Sequence, residues 1–184
     1  MPLLLKSWLS RLGAKVEDSG YQQLRQLPVR IRKAYDDDAP FIYKSWVQSY
    51  QGQNKDIPKK AISKMHKSVI KRLLEHSTTI VACGNTPETE KDIYSWLTAR
   101  RTPKFLVVHF SYTKAPFRKW GLLNALLKVF EYKQGEAVLA SHKSYIIKEL
   151  KPRHNIMYVP HLQMHNGIQD LEKIYEIENG NIEA

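Results

Sequence analysis

The sequence predicts a mixed α/β fold, a single domain in which helices and strands interleave around one mixed sheet. Three observations predict it. Runs rich in β-branched and aromatic residues alternate with runs of helical period in the order β-α-α-β-β-β-α-β-α-β. The chain's 184 residues suffice for one well-cored domain and are short for two. The stretch from His109 to Lys128 runs from an apolar strand through a basic, glycine-containing turn into a leucine-rich helix. Junctions of that kind are where α/β folds build anion sites.

Taken in order, residues 1–27 read as a helical extension, residues 28–165 as the domain and residues 166–184 as an acidic tail. In the extension, Leu3, Leu4, Leu5, Trp8, Leu9 and Leu12 cluster on one face, with Lys6, Ser10 and Arg11 opposite, and Gly13 ends the helix. Such a helix docks on a membrane surface or a protein partner, or folds onto its own domain or a dimer mate. Val29 to Ala34 is the first strand. Asp36, Asp37 and Asp38 are placed to cap the next helix, with Pro40 in its first turn and Phe41, Ile42, Trp46, Val47 and Tyr50 on its buried side. After Pro58 a second helix, Lys59 to His76, repeats Ile62, Met65, Val69, Leu73 and Leu74 at helical spacing.

Three strands follow. Thr78 to Cys83 is ended by Gly84-Asn85, and Ile93 to Thr98 is marked by Tyr94 and Trp96. Phe105 to Tyr112 then leads through the basic turn into a helix from Leu122 to Tyr132. Ala137 to Ser141 is a strand, Ser144 to Leu150 a short helix and Asn155 to Pro160 the last strand. There is no internal repeat and no low-complexity segment.

Composition narrows the setting. No apolar run is long enough to span a bilayer, and Lys6 interrupts the opening leucines, so neither a membrane span nor a secretory signal is expected. A single cysteine, Cys83, excludes an intrachain disulfide and suits a reducing compartment, so the expected location is the cytoplasm. In its predicted strand it reads as a small core residue. The formal net charge is +11 although the end from Asp170 to Glu183 is acidic. That field attracts nucleic acid, anionic membrane or a polyanionic cofactor such as coenzyme A. Lys59, Lys60, Lys64, Lys67, Lys71 and Arg72 make a basic face on the second helix, either solvated or in contact with nucleic acid, without interleaved aromatics for base stacking.

The basic turn carries the most chemistry. The first N–H groups of a helix have no intrahelical partner, and the helix dipole favours negative charge there. Arg118 and Lys119 flank the turn, and Gly121 permits close backbone approach. A pyrophosphate is the ligand this arrangement suits.

The sequence Arg118-Lys119-Trp120-Gly121-Leu122-Leu123 resembles the Arg/Gln-x-x-Gly-x-Gly/Ala signature of the GNAT superfamily of acyl-CoA-dependent N-acyltransferases. Arg118 and Gly121 match it, and Leu123 stands where the family keeps a small residue. The resemblance in element order covers Val29 to Gln163. Val138 to Ser144 followed by Asn155 to His161 further resembles small GNAT-like proteins of bacteriophages and prophages. That likeness implies a viral source and, as an alternative to catalysis, a virion component or host-interaction module.

The resemblance implies a GNAT-like domain that binds acetyl-CoA and transfers the acetyl group to an amine of unidentified acceptor, small molecule or protein. By position, main-chain groups of His109, Phe110, Ser111 and Thr113 would pair with the pantetheine arm. The N–H groups of Lys119, Trp120, Gly121, Leu122, Leu123 and Asn124 would hold the pyrophosphate, with Trp120 stacking on adenine or covering the helix. Relatives often place a carboxylate base on the central strand, but Phe105 to Tyr112 contains neither Asp nor Glu. His109 is the one group there that titrates near neutrality, so it is the candidate base or else a hydrogen-bonded structural residue. Tyr145 and His142 are candidates for the acid that protonates the thiolate.

No metal site is expected. His161 and His165 have i, i+4 spacing, but no acidic residue or cysteine nearby completes a set, and Pro160 argues against helix there. Three remaining partners are left open: an amine acceptor, a protein meeting the N-terminal helix, and nucleic acid along the basic body.

Overall fold

The computed structural model describes residues 28–53, 56–133, 135–142, 155–164 and 167–178. The N-terminal extension, the expected helix from Ser144 to Leu150 with Tyr145, and His165 lie outside the described residues.

The strands are β1 (Val29–Lys33), β2 (Thr78–Gly84), β3 (Ile93–Arg101), β4 (Leu106–Thr113), β5 (Val138–Ala140) and β6 (Ile156–Tyr158). The helices are α1 (Ala39–Gln53), α2 (Lys59–His76), α3 (Leu122–Val129) and α4 (Gly167–Glu178). The mixed α/β class expected from the sequence is the one observed. One six-stranded sheet runs β1-β2-β3-β4-β5-β6, antiparallel from β1 to β4 and parallel from β4 to β6.

Each face of the sheet is covered by helices whose apolar residues point inward. On one face α1 and α2 bury Ile42, Trp46, Val47, Ile62, Ile70 and Leu73 against Val81, Cys83, Trp96 and Phe110. Trp46, Trp96 and Phe110 form a ring cluster with centroids 5.0–5.5 Å apart. Trp96 Nε1 donates to Ser45 Oγ at 3.0 Å, which satisfies its polar edge inside the core. On the other face α3 buries Leu122, Leu126 and Leu127 against Ile80, Ala82, Leu97 and Leu106. Cys83 is fully buried, as a small core residue.

Several elements depart from the sequence reading, each for a local reason. Met65 is 62% exposed, because the inward stripe of α2 runs Ile62, His66, Ile70 and Leu73. β3 extends past Thr98 to Arg101, since its last residues pair with Leu106 to Val108 although they are basic. Residues 167–178, within the expected acidic tail, form α4, and Ile168 is buried with Leu162, Val107 and Leu139.

α3 ends at Val129 rather than Tyr132. Glu131 N–H donates to Lys128 O at 3.0 Å and Tyr132 N–H to Leu127 O at 3.3 Å, with Glu131 at φ 56°. This is a Schellman closure with glutamate where glycine is favoured. Glu131→Gly is expected to raise stability by about 0.5–1 kcal/mol, the left-handed strain relieved less the added freedom of the unfolded chain. Urea unfolding would check it, and a loss of stability would show that the Glu131 side chain contributes more than its backbone strain removes.

Candidate functional site

β4 is the strand that builds the site. It pairs with β3 along nearly its whole length, but with β5 only through Leu106, Val107 and Val108. The last link is Ser141 N–H to Val108 O at 3.1 Å. Beyond it the two strands part, and among the described residues no strand pairs with the β5 side of His109 to Thr113. An unpaired strand edge inside a sheet is a row of N–H and C=O groups ready to pair with an extended ligand.

A bulge sits at the parting. Thr98 faces Phe110 and Ala99 faces Val108, so His109 is the extra residue of β4. The bulge leaves His109 and Phe110 buried consecutively, at 2% and 4% exposure. His109 Nδ1 and Ser141 Oγ lie 2.8 Å apart, a hydrogen bond that ties β4 to the end of β5 at the point of separation. Burial, aided by the charge of Arg100, lowers the His109 pKa to about 4. Its imidazole is therefore neutral at physiological pH, and one ring nitrogen is committed to Ser141.

The basic turn follows. Lys114 N–H donates to Tyr94 O at 2.9 Å, which anchors the end of β4 to β3. Residues Ala115–Phe117 make one 3-10 turn, and the Phe117 ring packs 4.4 Å from Tyr94 and 5.6 Å from Trp120. Lys119 and Gly121 then both take left-handed backbone, at φ 65° and 75°. Gly121 is the N-cap of α3 and brings no side-chain cap, so the helix start opens onto the turn with Leu122 and Leu123 in its first positions. Arg118 and Lys119 are exposed, and Arg118 Nε reaches back to Thr113 O at 3.4 Å. The basic turn and the free edge of β4 are thus joined through one residue.

The other sequence-derived candidates are placed as follows. Phe110 commits its ring to the core, leaving only its main chain for a ligand. Ser111 and Thr113 are partly exposed on the parted edge, and Thr113 Oγ1 bonds Ser95 Oγ at 2.8 Å. Trp120 and Leu123 are half-buried against the α3 face of the core. Asn124 is exposed in the first turn of α3. Asp38 closes the turn before α1, accepting from Tyr35 N–H at 2.8 Å and pairing with Arg32.

His142, two residues past β5, is 8% exposed and lies on the α1–α2 face. Its ring meets Tyr50 at 4.5 Å and Phe110 at 5.2 Å. Sequence reading missed two companions of His142. In the sequence Tyr50 reads only as a core residue, and His66 carries no functional mark. The available signal was a histidine on the apolar stripe of α2, four residues from both Ile62 and Ile70.

Among the described residues no three His, Cys, Asp or Glu converge as a metal set. None of the described helices is long and apolar enough to cross a membrane. On α2, Lys59, Lys60, Lys64, Lys67 and Lys71 are exposed, while Arg72 is half-buried and donates to Gln163 O.

No protein-family model and no curated protein matches the chain. Among solved structures it is similar to a possible acetyltransferase from Clostridium difficile 630, at 12% identity and TM-score 0.37, over 80% of this chain and 89% of that one. It is also similar to AAC(6')-Iy in complex with a bisubstrate analogue, at 9% identity and TM-score 0.36, over 80% and 87% of the two chains. A third similar structure is a predicted acetyltransferase with acetyl-CoA from Clostridium acetobutylicum, at 15% identity and TM-score 0.36, over 79% and 88%.

Proposed function

We propose that the chain is a GNAT-like acetyltransferase that binds acetyl-CoA and passes its acetyl group to an amine. One observation carries the reading: the unpaired edge of β4 leads directly into a basic turn at an uncapped helix start. The donor set fits the cofactor. The amide edge from His109 to Thr113 suits the pantetheine arm, which carries amides of its own and pairs as a strand does. The start of α3, with Arg118 and Lys119 beside it, suits a pyrophosphate. When bound, acetyl-CoA supplies the activated acyl group. The chain's part is to align that group at the parting of β4 and β5.

Arg118→Glu replaces an exposed cation at the turn with an anion. It is expected to weaken acetyl-CoA binding at least about tenfold by calorimetry, with an unchanged melting temperature in the absence of cofactor. Equal affinity in variant and parent would mean that the pyrophosphate lies elsewhere. No heat and no thermal shift at saturating acetyl-CoA would remove the reading altogether.

A second reading, a binder without turnover, is favoured by His109. The one group on β4 that titrates near neutrality in free form, His109, is buried, neutral and bonded to Ser141. It predicts acetyl-CoA binding with no thiol release in the presence of any amine. That reading would also suit the phage component suggested by the sequence resemblance.

A further inference from the structure

α2 carries a row of cations that neither the core nor the proposed cofactor contacts use. Lys60, Lys64, Lys67 and Lys71 are all exposed, and their spacing of four, three and four residues sets them on one side of the helix. That side is turned away from the buried Ile62, Ile70 and Leu73. Successive lysines stand about 4.5–6 Å apart along the axis, and the whole row is about 16 Å long. Like charges at these spacings repel one another and weaken the helix that carries them. One acid joins the row, Glu75, 3.7 Å from Lys71, and both side chains are exposed, so the pair is weak.

The row ends at a second group of cations. Where α2 gives way to β2, an open hollow of about 450 Å³ is lined by Ser77 and Thr78, by Lys33 at the end of β1, and by Arg100 and Arg101 at the end of β3. Glu75 is its one acid. Arg101 pairs with Glu136, but among the described residues neither Lys33 nor half-buried Arg100 has an ion-pair partner. This hollow is remote from the basic turn. Lys114 N–H is bonded to Tyr94 O near the start of β3, and Arg101 ends that strand seven residues on, roughly 23 Å away.

We infer that the α2 row and the hollow at its end form a binding surface for the phosphodiester backbone of duplex nucleic acid, separate from the basic turn and independent of the acetyltransferase reading. A straight row of fixed cations suits a polymer with one charge per roughly 1.7 Å of axis, whereas a small anion in the hollow would leave the row unmatched. An acidic peptide, with at most one charge per about 3.3 Å when extended, meets the row half as densely. A single strand is less suited, because binders of single strands offer rings on which bases stack. Here the row holds no ring, Phe130 in the hollow is buried, and His76 alone is exposed. Contacts to the backbone carry no base information, so the surface is indifferent to sequence. Five of its cations, Lys33, Lys60, Lys64, Lys67 and Arg100, have no ion pair among the described residues and set the number of phosphates neutralised.

The test follows binding of the full chain to a fluorescein-labelled DNA duplex of about 24 base pairs by anisotropy, at salt from about 50 to about 200 mM. With those five cations on phosphates, the logarithm of affinity is expected to fall against that of salt with a slope of about −4.5, a loss on the order of 500-fold over the range. Lys64→Gln combined with Lys67→Gln is expected to flatten the slope by about 1.8, and Arg100→Gln by about 0.9, each at an unchanged melting temperature. Lys91→Gln combined with Lys173→Gln removes two exposed charges elsewhere and is expected to leave the slope within about 0.5 of wild type. Saturating acetyl-CoA is expected to leave duplex affinity within about twofold, because the basic turn lies at the other end of β3. A wild-type slope shallower than about −2, equal flattening by the two lysine pairs, or no flattening in Arg100→Gln would each overturn the inference. So would displacement of duplex by acetyl-CoA, or binding of a single strand, poly-L-glutamate or anionic lipid vesicles as tightly, per charge, as duplex.

Discussion

Asp38→Ala is expected to lower folding stability by about 3–5 kcal/mol, the cost of leaving one partner of a buried ion pair alone. Arg32 Nη1 lies 2.6 Å from Asp38 Oδ2 and Nη2 lies 3.2 Å from Oδ1, with both side chains only 7% exposed. The same carboxylate accepts from Tyr35 N–H, so alanine also removes the side-chain bond that closes the turn before α1. The stranded guanidinium would keep only the carbonyls of Lys33 and Glu90 and the face of Tyr35. Urea unfolding should show a lower midpoint at constant slope. Arg32→Met combined with Asp38→Leu should recover most of the loss, since an apolar pair carries no desolvation penalty. A cost under about 1 kcal/mol for Asp38→Ala would mean that water reaches the pair as it does at a surface. The consequence reaches the site, because this pair fixes the start of the helix that carries Trp46 and Tyr50.

The elements that came through from sequence are those with long, unmixed patterns. The bounds of α2 follow from Pro58 before it, a helical apolar repeat within it and a β-branched run after it. β2 and the start of β4 are largely buried and read as the apolar runs Ile80 to Cys83 and Leu106 to Val108. What did not come through depends on pairing. The bulge at His109 arises from register between β3 and β4, and nothing in Val107-Val108-His109-Phe110 marks it. β3 continues through Arg100 and Arg101 because β4 is there to pair with, against the local preference of a basic end. The exposure of Met65 was hidden because methionine and histidine compete for the inward stripe, and packing against Tyr50 favours the flat ring.

The candidate site divides the same way. The anion end is local, set by Arg118, Gly121 and the start of a helix, and could be read from residues adjacent in sequence. The ring cluster is assembled from Tyr50, His66, Phe110 and His142, which lie on α1, α2, β4 and past the end of β5, and only the fold brings them together. β4 carries no carboxylate. Near the parting strands the fold buries two histidines, both neutral.

Those two histidines should make the protein acid-labile. Burial lowers the pKa of His109, aided by Arg100, and of His142, aided by His66, from 6.5 to about 4. A histidine whose folded pKa lies below its unfolded value binds protons more readily in the unfolded chain. Its contribution to stability is therefore intact above about pH 6.5 and is lost as pH falls toward 4. Between pH 7 and pH 5 the two groups together should remove about 3–4 kcal/mol, a large share of the stability of an ordinary domain. Urea titrations at pH 7, 6 and 5 would measure this, and His109→Gln or His142→Gln should each remove about half of the slope while shifting the neutral-pH stability separately. Stability that stays level from pH 7 to pH 5 would mean that one or both imidazoles are hydrated.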